Sequence, residues 1–254
     1  MLEINKIYNM DCLEGMKYID DKSIDMILCD LPYGTTACKW DTIIPFEPLW
    51  EQYKRIIKDN GAIVLTASQP FTSALVMSNP KMFRHHWIWN KRMGSNFFNV
   101  KSQPLKIHEE VVVFSKKRAF YNPIMRPGKM RVKGSDKQYS GDNVLGNYKK
   151  TKTKNNLYYP VSILDFSNAN RTNKVHPTQK PVPLFEYLIK TYTNEGEIVL
   201  DNCIGSGTTA IACINTNRNF IGFELNKEYY KIAKNRINKH ILDNNLQDRY
   251  SLIV

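Results

Sequence analysis

The chain has few cysteines and no long apolar run. Its 254 residues include five scattered cysteines, Cys12, Cys29, Cys38, Cys203 and Cys213, without a Cys-x-x-Cys pair. This spacing predicts no zinc site and no disulfide framework, and it suits a reduced setting. No stretch reaches the roughly 18 apolar residues of a membrane span, and the first residues lack the layout of a secretory signal. We therefore expect a cytoplasmic protein with no metal ion and no membrane partner.

An excess of positive charge is absent from most of the chain. Of the 36 Lys and Arg and 24 Asp and Glu in total, residues 116–180 hold fifteen basic residues and three acidic ones. Outside that segment the two signs balance, with 21 of each. Such a concentrated excess is typical of a segment that binds a polyanion such as nucleic acid. The alternative is a solvated lysine-rich loop, which needs no partner.

Apolar segments that fit strands alternate with segments that fit helices. This alternation predicts an α/β fold with a doubly wound, mostly parallel sheet. Asn60-Gly61 is expected to end the helix that begins at Pro48. The predicted strands cover residues 24–29, 62–66, 86–89, 110–114, 197–200 and 220–223, and the predicted helices cover residues 48–58, 70–77, 208–215 and two segments that begin at 181 and near 226.

The basic segment lacks this alternation. Between about residues 118 and 171, aliphatic residues give way to Gly, Asn, Lys and Tyr. Little regular structure is expected there, and part of the segment is expected to order only on binding. The sequence thus predicts an irregular basic insert within the sheet domain.

The first buried-strand segment ends in a distinctive motif, Asp30-Leu31-Pro32-Tyr33. A strand that stops on this sequence presents a carboxylate, unpaired carbonyl groups and an aromatic face together. These groups can stack on a planar base and accept hydrogen bonds from an exocyclic amino group. The motif therefore predicts a site that methylates the amino group of a nucleobase. A plain strand end followed by a turn is the alternative.

A glycine-rich turn, residues 201–207, follows a later strand. Gly205 and Gly207 let the backbone approach a ligand closely, and the helix that begins at Thr208 offers unpaired N–H donors. Glu224 ends the next strand, nineteen residues after Gly205, where a carboxylate can accept both hydroxyl groups of an adenosine ribose. Taken alone, this pattern also fits a dinucleotide-binding fold or a tight strand-to-helix turn.

Together these segments resemble the S-adenosylmethionine-dependent amino-methyltransferases of DNA, over nearly the whole chain. Residues 30–33 look like the catalytic motif, residues 201–207 like the cofactor loop, and residues 176–181 like the segment that precedes that loop. Residues 89–91 and 108–110 resemble two further family blocks. Catalytic motif first, basic insert second and cofactor loop last is the circularly permuted order of the β class. The resemblance implies a Rossmann-like methyltransferase fold that uses S-adenosylmethionine.

The resemblance divides the chain into three parts. Residues 1–117 would be the catalytic half of the methyltransferase domain, residues 118–172 a DNA target-recognition insert, and residues 173–254 the cofactor-binding half. Double-stranded DNA is the implied partner, and whether the chain forms a homodimer or accompanies a restriction enzyme stays open. The implied DNA contacts are Arg126, Lys129, Arg131, Lys133, Lys149, Lys150, Lys152 and Lys154.

The same resemblance gives roles to single residues. Asp30 and the carbonyl group of Leu31 or Pro32 would accept the two amino hydrogens, while Tyr33 would stack on a base extruded from the duplex. The methyl group would then pass by direct displacement, favoured by positioning. The implied cofactor contacts are Asp11, Asp30, Thr178, Lys180, Asp201, Cys203, Gly205, Ser206, Gly207, Thr208 and Glu224.

The chain departs from the family pattern in places, and several alternatives stay open. Leu31 stands where the first proline of Asp-Pro-Pro-Tyr is usual, and Asn202 and Cys203 replace the Pro and Phe of the usual cofactor loop. Asp11 and Thr178 could instead cap helices. In this family an Asp at the head of the motif favours adenine, and methylation of the amino group of cytosine is the runner-up. The lack of a Pro-Cys dipeptide argues against carbon-5 methylation of cytosine. A non-catalytic DNA-binding subunit and an RNA methyltransferase are the remaining alternatives.

Overall fold

Buried aliphatic runs form the strands of the protein, and amphipathic segments between them form the helices. The computed structural model describes residues 2–35, 41–133, 152–168 and 179–253. Within those ranges the strands are β1 Lys6–Tyr8, β2 Ile24–Asp30, β3 Ile57–Ala67, β4 Phe83–Ser95, β5 Lys106–Phe114, β6 Arg126–Lys133, β7 Thr153–Tyr158, β8 Ile163–Asp165, β9 Ile198–Asp201 and β10 Asn219–Phe223. The helices are α1 Cys12–Met16, α2 Phe46–Ile56, α3 Phe71–Ser78, α4 Val182–Tyr192, α5 Thr208–Asn215 and α6 Lys227–Asp243. None of these described helices has the length and apolar content to cross a bilayer.

One sheet contains eight of the described strands. Their order is β1-β10-β9-β2-β3-β5-β4-β8. The pairs are parallel except those that β5 makes with β3 and β4. The sheet is therefore mostly parallel, and the predicted doubly wound α/β fold is confirmed.

Two apolar cores cover the two faces of this sheet. Ile211 of α5 and Ile237 of α6 belong to one core, whereas Leu49 of α2 and Leu75 of α3 belong to the other. Since α5 follows β9 and α2 follows β2, the chain leaves these two adjacent strands toward opposite faces. A crevice forms at such a switch point, outside the carboxyl ends of the strands. The fold thus places a ligand site at the ends of β2 and β9.

The predicted end of the second helix is wrong. α2 ends at Ile56, and β3 begins at the next residue, so Asn60 and Gly61 lie inside a strand. The pairing of β2 with β3 is irregular at this point. A β-carbon on Gly61 would lie 2.7 Å from the carbonyl oxygen of Asp25. Glycine here serves the close approach of two strands, and it does not stop a helix.

The basic segment contains more regular structure than the sequence predicts. β6 and β7 pair as an antiparallel two-stranded sheet within one compact unit, Pro123–Val161. β8 joins the main sheet beside β4 and belongs to the larger unit, Met1–Asn122 with Ser162–Val254. The expectation of little regular structure is therefore wrong for the described part. β7 is exposed almost throughout, so it lacks the apolar alternation by which a strand is recognised in a sequence.

Candidate active site

The carboxyl ends of β2, β9 and β10 meet at one edge of the sheet and bring both motifs together. A cavity of about 570 Å³ lies there, a size typical of small-molecule sites. Gly207 is the N-cap residue of α5 and is not among the described lining residues, and Thr178 lies outside the described residues. Twelve predicted site residues line the cavity: Asp11, Asp30, Leu31, Pro32, Tyr33, Lys180, Asp201, Cys203, Gly205, Ser206, Thr208 and Glu224.

Asp30 is the last residue of β2, and three side chains hold its carboxylate. The Tyr33 hydroxyl donates to Oδ1 over 2.8 Å, and the Thr66 hydroxyl donates to the same oxygen. The Lys180 ammonium donates to Oδ2 over 2.7 Å. Because a carboxylate offers about four acceptor positions, one position on Oδ2 is left for a ligand N–H group. Asp30 is thus fixed in orientation and can accept one more hydrogen bond.

Lys180 is buried between two carboxylates. Its Nζ lies 3.5 Å from Oε2 of Glu109 as well as 2.7 Å from Asp30, and Oε1 of Glu109 accepts a hydrogen bond of 3.0 Å from Lys91. Burial opposes the charged ammonium, but Asp30 and Glu109 outweigh it and raise the pKa of Lys180. Burial likewise opposes the charged Glu109, but Lys180 and Lys91 lower its pKa. Lys180 and Glu109 therefore stay charged at neutral pH.

The ring of Tyr33 is a fixed aromatic surface in the cavity. It stacks on Phe71 with ring centroids 5.2 Å apart and an interplanar angle of 25°. Burial and the nearby Asp30 carboxylate raise the pKa of the Tyr33 hydroxyl well above its ordinary value, so the phenol is neutral. A neutral ring held at its face and at its hydroxyl suits the stacking of a planar ligand.

The glycine turn follows β9 and is anchored by α6. Gly205 has φ +54° and Gly207 has φ +81°, a backbone region that favours glycine. Arg236 of α6 donates hydrogen bonds of 2.9 Å to the carbonyl oxygen of Ser206 and of 3.1 Å to the hydroxyl of Thr208. Burial lowers the pKa of this guanidinium to about 10, and it remains charged at neutral pH. The turn therefore has a defined shape before any ligand arrives.

Glu224 follows β10 and faces the glycine turn. Its Oε2 accepts a hydrogen bond of 2.9 Å from the Gly205 N–H, and its Oε1 accepts one of 2.8 Å from the Asn226 N–H. Burial raises the pKa of Glu224 against the effect of these two donors. Each oxygen keeps a second acceptor position, so the carboxylate can receive two neighbouring hydroxyl groups. Leu225, which is 71% exposed, adds an apolar wall beside it.

Asp201 is engaged by the turn itself. Its Oδ1 accepts a hydrogen bond of 3.0 Å from the Cys203 N–H, and the Thr209 hydroxyl donates to its Oδ2. Burial raises the pKa of Asp201 to about 7, although both hydrogen bonds act to lower it. This carboxyl group therefore shapes the turn that lines the cavity.

The unusual residues of the cofactor loop have defined partners. The Tyr53 hydroxyl donates a hydrogen bond of 2.5 Å to the Asn202 side chain, whose Nδ2 lies 3.5 Å from the Cys203 sulfur. A thiol at Cys203 covers less of the cavity wall than an aromatic ring would. Asp11 caps α1 by accepting from the N–H groups of Leu13 and Glu14, over 2.8 Å and 3.1 Å, and it also lines the cavity. The capping interpretation of Asp11 is confirmed, and its contact with a cofactor stays a prediction.

Sequence reasoning missed Thr66, Lys91 and Glu109 as neighbours of the catalytic motif. Thr66 lies opposite Asp30 in the parallel pairing of β2 with β3, and no motif marks it. Lys91 and Glu109 belong to recognised family blocks without a predicted role. Neither residue stands out in the sequence, because β4 also contains Arg84 and Arg92 and β5 also contains Lys106 and Glu110.

The predicted DNA contacts lie in the compact unit Pro123–Val161 where they are described. Arg126, Lys129, Lys152 and Lys154 are exposed. The guanidinium of Arg131 lies 3.6 Å from the ring centroid of Tyr158. Lys133 is part of β6, and Lys149 and Lys150 lie outside the described residues.

The cavity suits a cationic nucleoside. Gly205 leaves room for a close ligand, since an added β-carbon would find no atom nearer than 3.9 Å. Glu224 offers two adjacent acceptors for a ribose, and carboxylates favour a positive charge. S-adenosylmethionine combines a ribose diol with a sulfonium cation, so the lining residues fit this cofactor. The carboxylates among the described lining residues are Asp11, Asp30, Asp41, Asp201 and Glu224, and Lys180 is the basic residue among them.

Comparison with known proteins agrees with this chemistry. A family model described as DNA methylase matches residues 24–235. The chain is 30% identical over 246 residues to the type II methyltransferase M.HpaI of Haemophilus parainfluenzae, covering 89% of this chain and 72% of the relative. It is 28% identical over 267 residues to the DNA adenine methyltransferase YhdJ of Escherichia coli (strain K12), covering 92% and 83%. The solved structure of the M1.HpyAVI–SAM complex has a TM-score of 0.61 and 26% identity, covering 91% of this chain and 98% of that one. The chain therefore belongs to the DNA methylase family and is an S-adenosylmethionine-dependent DNA methyltransferase.

Proposed function

We propose that the protein methylates the exocyclic amino group of adenine in DNA, after the base has been flipped out of the duplex. The observation that supports this most is that residues 30–33 and residues 201–206 of the glycine turn line one cavity together with Glu224. A base presented to Asp30 and a cofactor held by Glu224 would share that space. A duplex base cannot reach such a cavity while it is stacked.

The residues of the chain act by positioning. S-adenosylmethionine supplies the methyl group on a sulfonium. The remaining acceptor position on Oδ2 of Asp30 takes one amino hydrogen, and the carbonyl group of Leu31 or Pro32 takes the other. With both hydrogens held, the nitrogen lone pair is drawn out of conjugation with the ring. It would then take the methyl group by in-line displacement, in which the S–CH3 bond breaks as the N–CH3 bond forms and the neutral thioether leaves. Tyr33 holds the plane of the base, and the methylated amine then releases a proton to water.

We predict that the modified base is adenine. Two observations support adenine over cytosine. Asp30 stands at the head of the motif, and the chain is 28% identical to a relative whose name specifies adenine. DNA from cells that express the protein should contain N6-methyldeoxyadenosine after digestion to nucleosides, in one sequence context that sequencing of single molecules would reveal. Finding N4-methyldeoxycytidine instead would overturn the choice of base. Preferential methylation of structured RNA in a competition with duplex DNA would overturn the substrate.

We further propose that the β6–β7 sheet supplies phosphate contacts to DNA. Its exposed basic side chains support this, because each phosphate contact releases counterions and contributes about 0.9 to the slope of log affinity against log salt. Changing Lys129, Lys152 and Lys154 together to Gln should make that slope shallower by up to about 3. Fluorescence anisotropy of a labelled duplex across a salt series measures it.

A matched triple variant controls for net charge. Lys54, Lys81 and Lys190 are exposed and lie outside the basic segment, and their change to Gln should leave the slope nearly unaltered. Equal slopes for the two triple variants would contradict the role of the β6–β7 sheet.

Four finer features are proposals from the sequence. The order of motifs along the chain supports membership of the permuted β class, and the cysteine pattern supports a cytoplasmic setting. A homodimer and an accompanying restriction enzyme are compatible with this function, and sedimentation of the purified protein tests the first.

A further inference from the structure

The connection between β4 and β5 extends beyond the edge of the sheet that carries the catalytic motif. β4 runs parallel to β2 and β3, so its carboxyl end points the same way as Asp30. Ala67 at the end of β3 pairs with Glu110, whereas β5 begins four residues earlier, at Lys106, which pairs with Ser95. At about 3.3 Å per residue, the hairpin continues roughly 13 Å past the end of β3. Residues 96–105, the hairpin tip, therefore stand out on the catalytic side.

The hairpin tip exposes aromatic side chains to solvent. Phe98 is 101% exposed and Phe97 is 63% exposed, and Val100 is 52% exposed beside them. A single exposed apolar residue is ordinary, but a contiguous group at the end of a projecting hairpin marks a contact surface. The tip thus offers two phenyl rings to a partner.

The hairpin tip has a defined shape. Asn96 adopts φ 70°, and its side chain accepts a hydrogen bond of 2.7 Å from the Asn99 side chain. The N–H groups of Ser102 and Gln103 both donate to the carbonyl oxygen of Asn99 over 3.0 Å. These bonds hold the turn that carries both rings, so presenting the rings to a partner costs little ordering entropy.

The charge of the hairpin identifies the partner. Residues 92–107 contain three basic residues, Arg92, Lys101 and Lys106, and no acidic residue. Arg92 and Lys101 are exposed and flank the two phenylalanines in the sequence. Aromatic rings flanked by positive charge are the combination that binds unstacked nucleic acid, because the rings stack on bases while the charges contact phosphates.

We propose that the hairpin tip is a DNA wedge, in which Phe97 and Phe98 fill the gap that the flipped base leaves in the duplex. This inference rests on the proposed function, because it assumes that the target base leaves the stack. Extrusion costs the stacking energy of the target base, and a ring that takes its place recovers part of that cost. The tip would thus contribute to base flipping, separately from the phosphate contacts proposed for the β6–β7 sheet.

The double variant Phe97→Ala, Phe98→Ala tests this proposal. Its kcat/KM is measured on two unmethylated duplexes that contain the sequence that the parent protein methylates. One duplex is fully paired, and the other has a mismatch at the target base, which makes extrusion cheaper. The variant should lose about tenfold or more of kcat/KM on the paired duplex and clearly less on the mismatched one. Heat of binding of S-adenosylmethionine should equal that of the parent protein. Tyr18→Ala, which removes a 59% exposed ring before the amino end of β2, should change neither duplex rate.

The outcomes separate this inference from the proposed function. Equal losses on the two duplexes, or no loss, would overturn the wedge while methylation by the parent protein still supports the function. If the parent protein methylates neither duplex, the function itself fails. Sedimentation of the parent protein and of the double variant gives a further outcome. If the parent protein is a dimer, the variant is a monomer, and the ratio of the rates on the paired and mismatched duplexes is the same for both, the tip binds a second copy of the chain and the wedge is overturned.

Discussion

Replacing Asp30 by Ala should abolish methyl transfer while cofactor and DNA binding persist. The carboxylate supplies the acceptor that turns the amine toward the methyl donor, and loss of one such preorganised contact typically costs about two to three orders of magnitude in rate. Transfer of a radiolabelled methyl group to DNA measures turnover, and calorimetry with S-adenosylmethionine measures cofactor binding. Asp30→Asn keeps the size of the side chain but places an amide opposite the Lys180 ammonium, so it should fail similarly.

A second carboxylate on the same strand provides the control. Asp25 lies at the opposite end of β2, where it accepts hydrogen bonds of 2.5 Å from Lys58 and of 3.0 Å from the Ile198 N–H. Asp25→Asn should lower stability without a comparable loss of turnover in the remaining folded protein. Substantial methylation by Asp30→Ala, or equal turnover losses in the two variants, would show that Asp30 has a structural role only.

Replacing Lys180 by Met should cause the second large effect, and it should depend on pH. Without the ammonium, the carboxylates of Asp30 and Glu109 lose the cation that both contact. Burial opposes ionisation of Glu109, and Lys180 is the charge that lowers its pKa most, so this pKa rises in the variant. Below the raised pKa, protonated Glu109 carries an O–H donor that competes with the amine of the base for Asp30. Turnover should therefore be low at neutral pH and recover in part as the pH rises through the raised pKa.

The Lys58→Met variant matches this change at the far end of β2. It also removes a lysine from an aspartate, the Lys58–Asp25 pair with a separation of 2.5 Å, but at a half-exposed position away from the cavity. Its pH profile of kcat should follow that of the parent protein. A Lys180→Met profile that is merely scaled down at every pH would contradict the electrostatic role of Lys180. Loss of a partner from a buried ion pair typically costs about 3–5 kcal/mol of stability, so unfolding should be followed in parallel.

The sequence predicts the location of the site because that location depends on local features. β2 and β9 are apolar runs that end in Asp30 and Asp201, and the carboxyl ends of parallel strands meet at one edge of a sheet. The residue types of the motif and of the turn therefore identify the cavity without coordinates. α6 is equally local, since Asn226 caps it by accepting hydrogen bonds from the N–H groups of Glu228 and Tyr229.

The sequence cannot predict contacts that depend on strand register. Thr66 reaches Asp30 because β2 and β3 pair residue by residue from Met26 onward, after an irregularity that no local pattern reveals. Glu109 reaches Lys180 because β5 lies antiparallel to β3 and continues past its end. Gly61 illustrates the same limit, since its helix-ending appearance in the sequence conceals a close approach between strands.

A crystal structure of the protein with bound S-adenosylmethionine would test most directly whether one space serves both base and cofactor. We expect the ribose hydroxyls on Glu224, the backbone of Gly205 against the ligand, and the sulfonium methyl directed at the space before Asp30 and Tyr33. A ligand bound elsewhere, or a methyl group turned away from Asp30 with protein in between, would contradict direct transfer within this cavity.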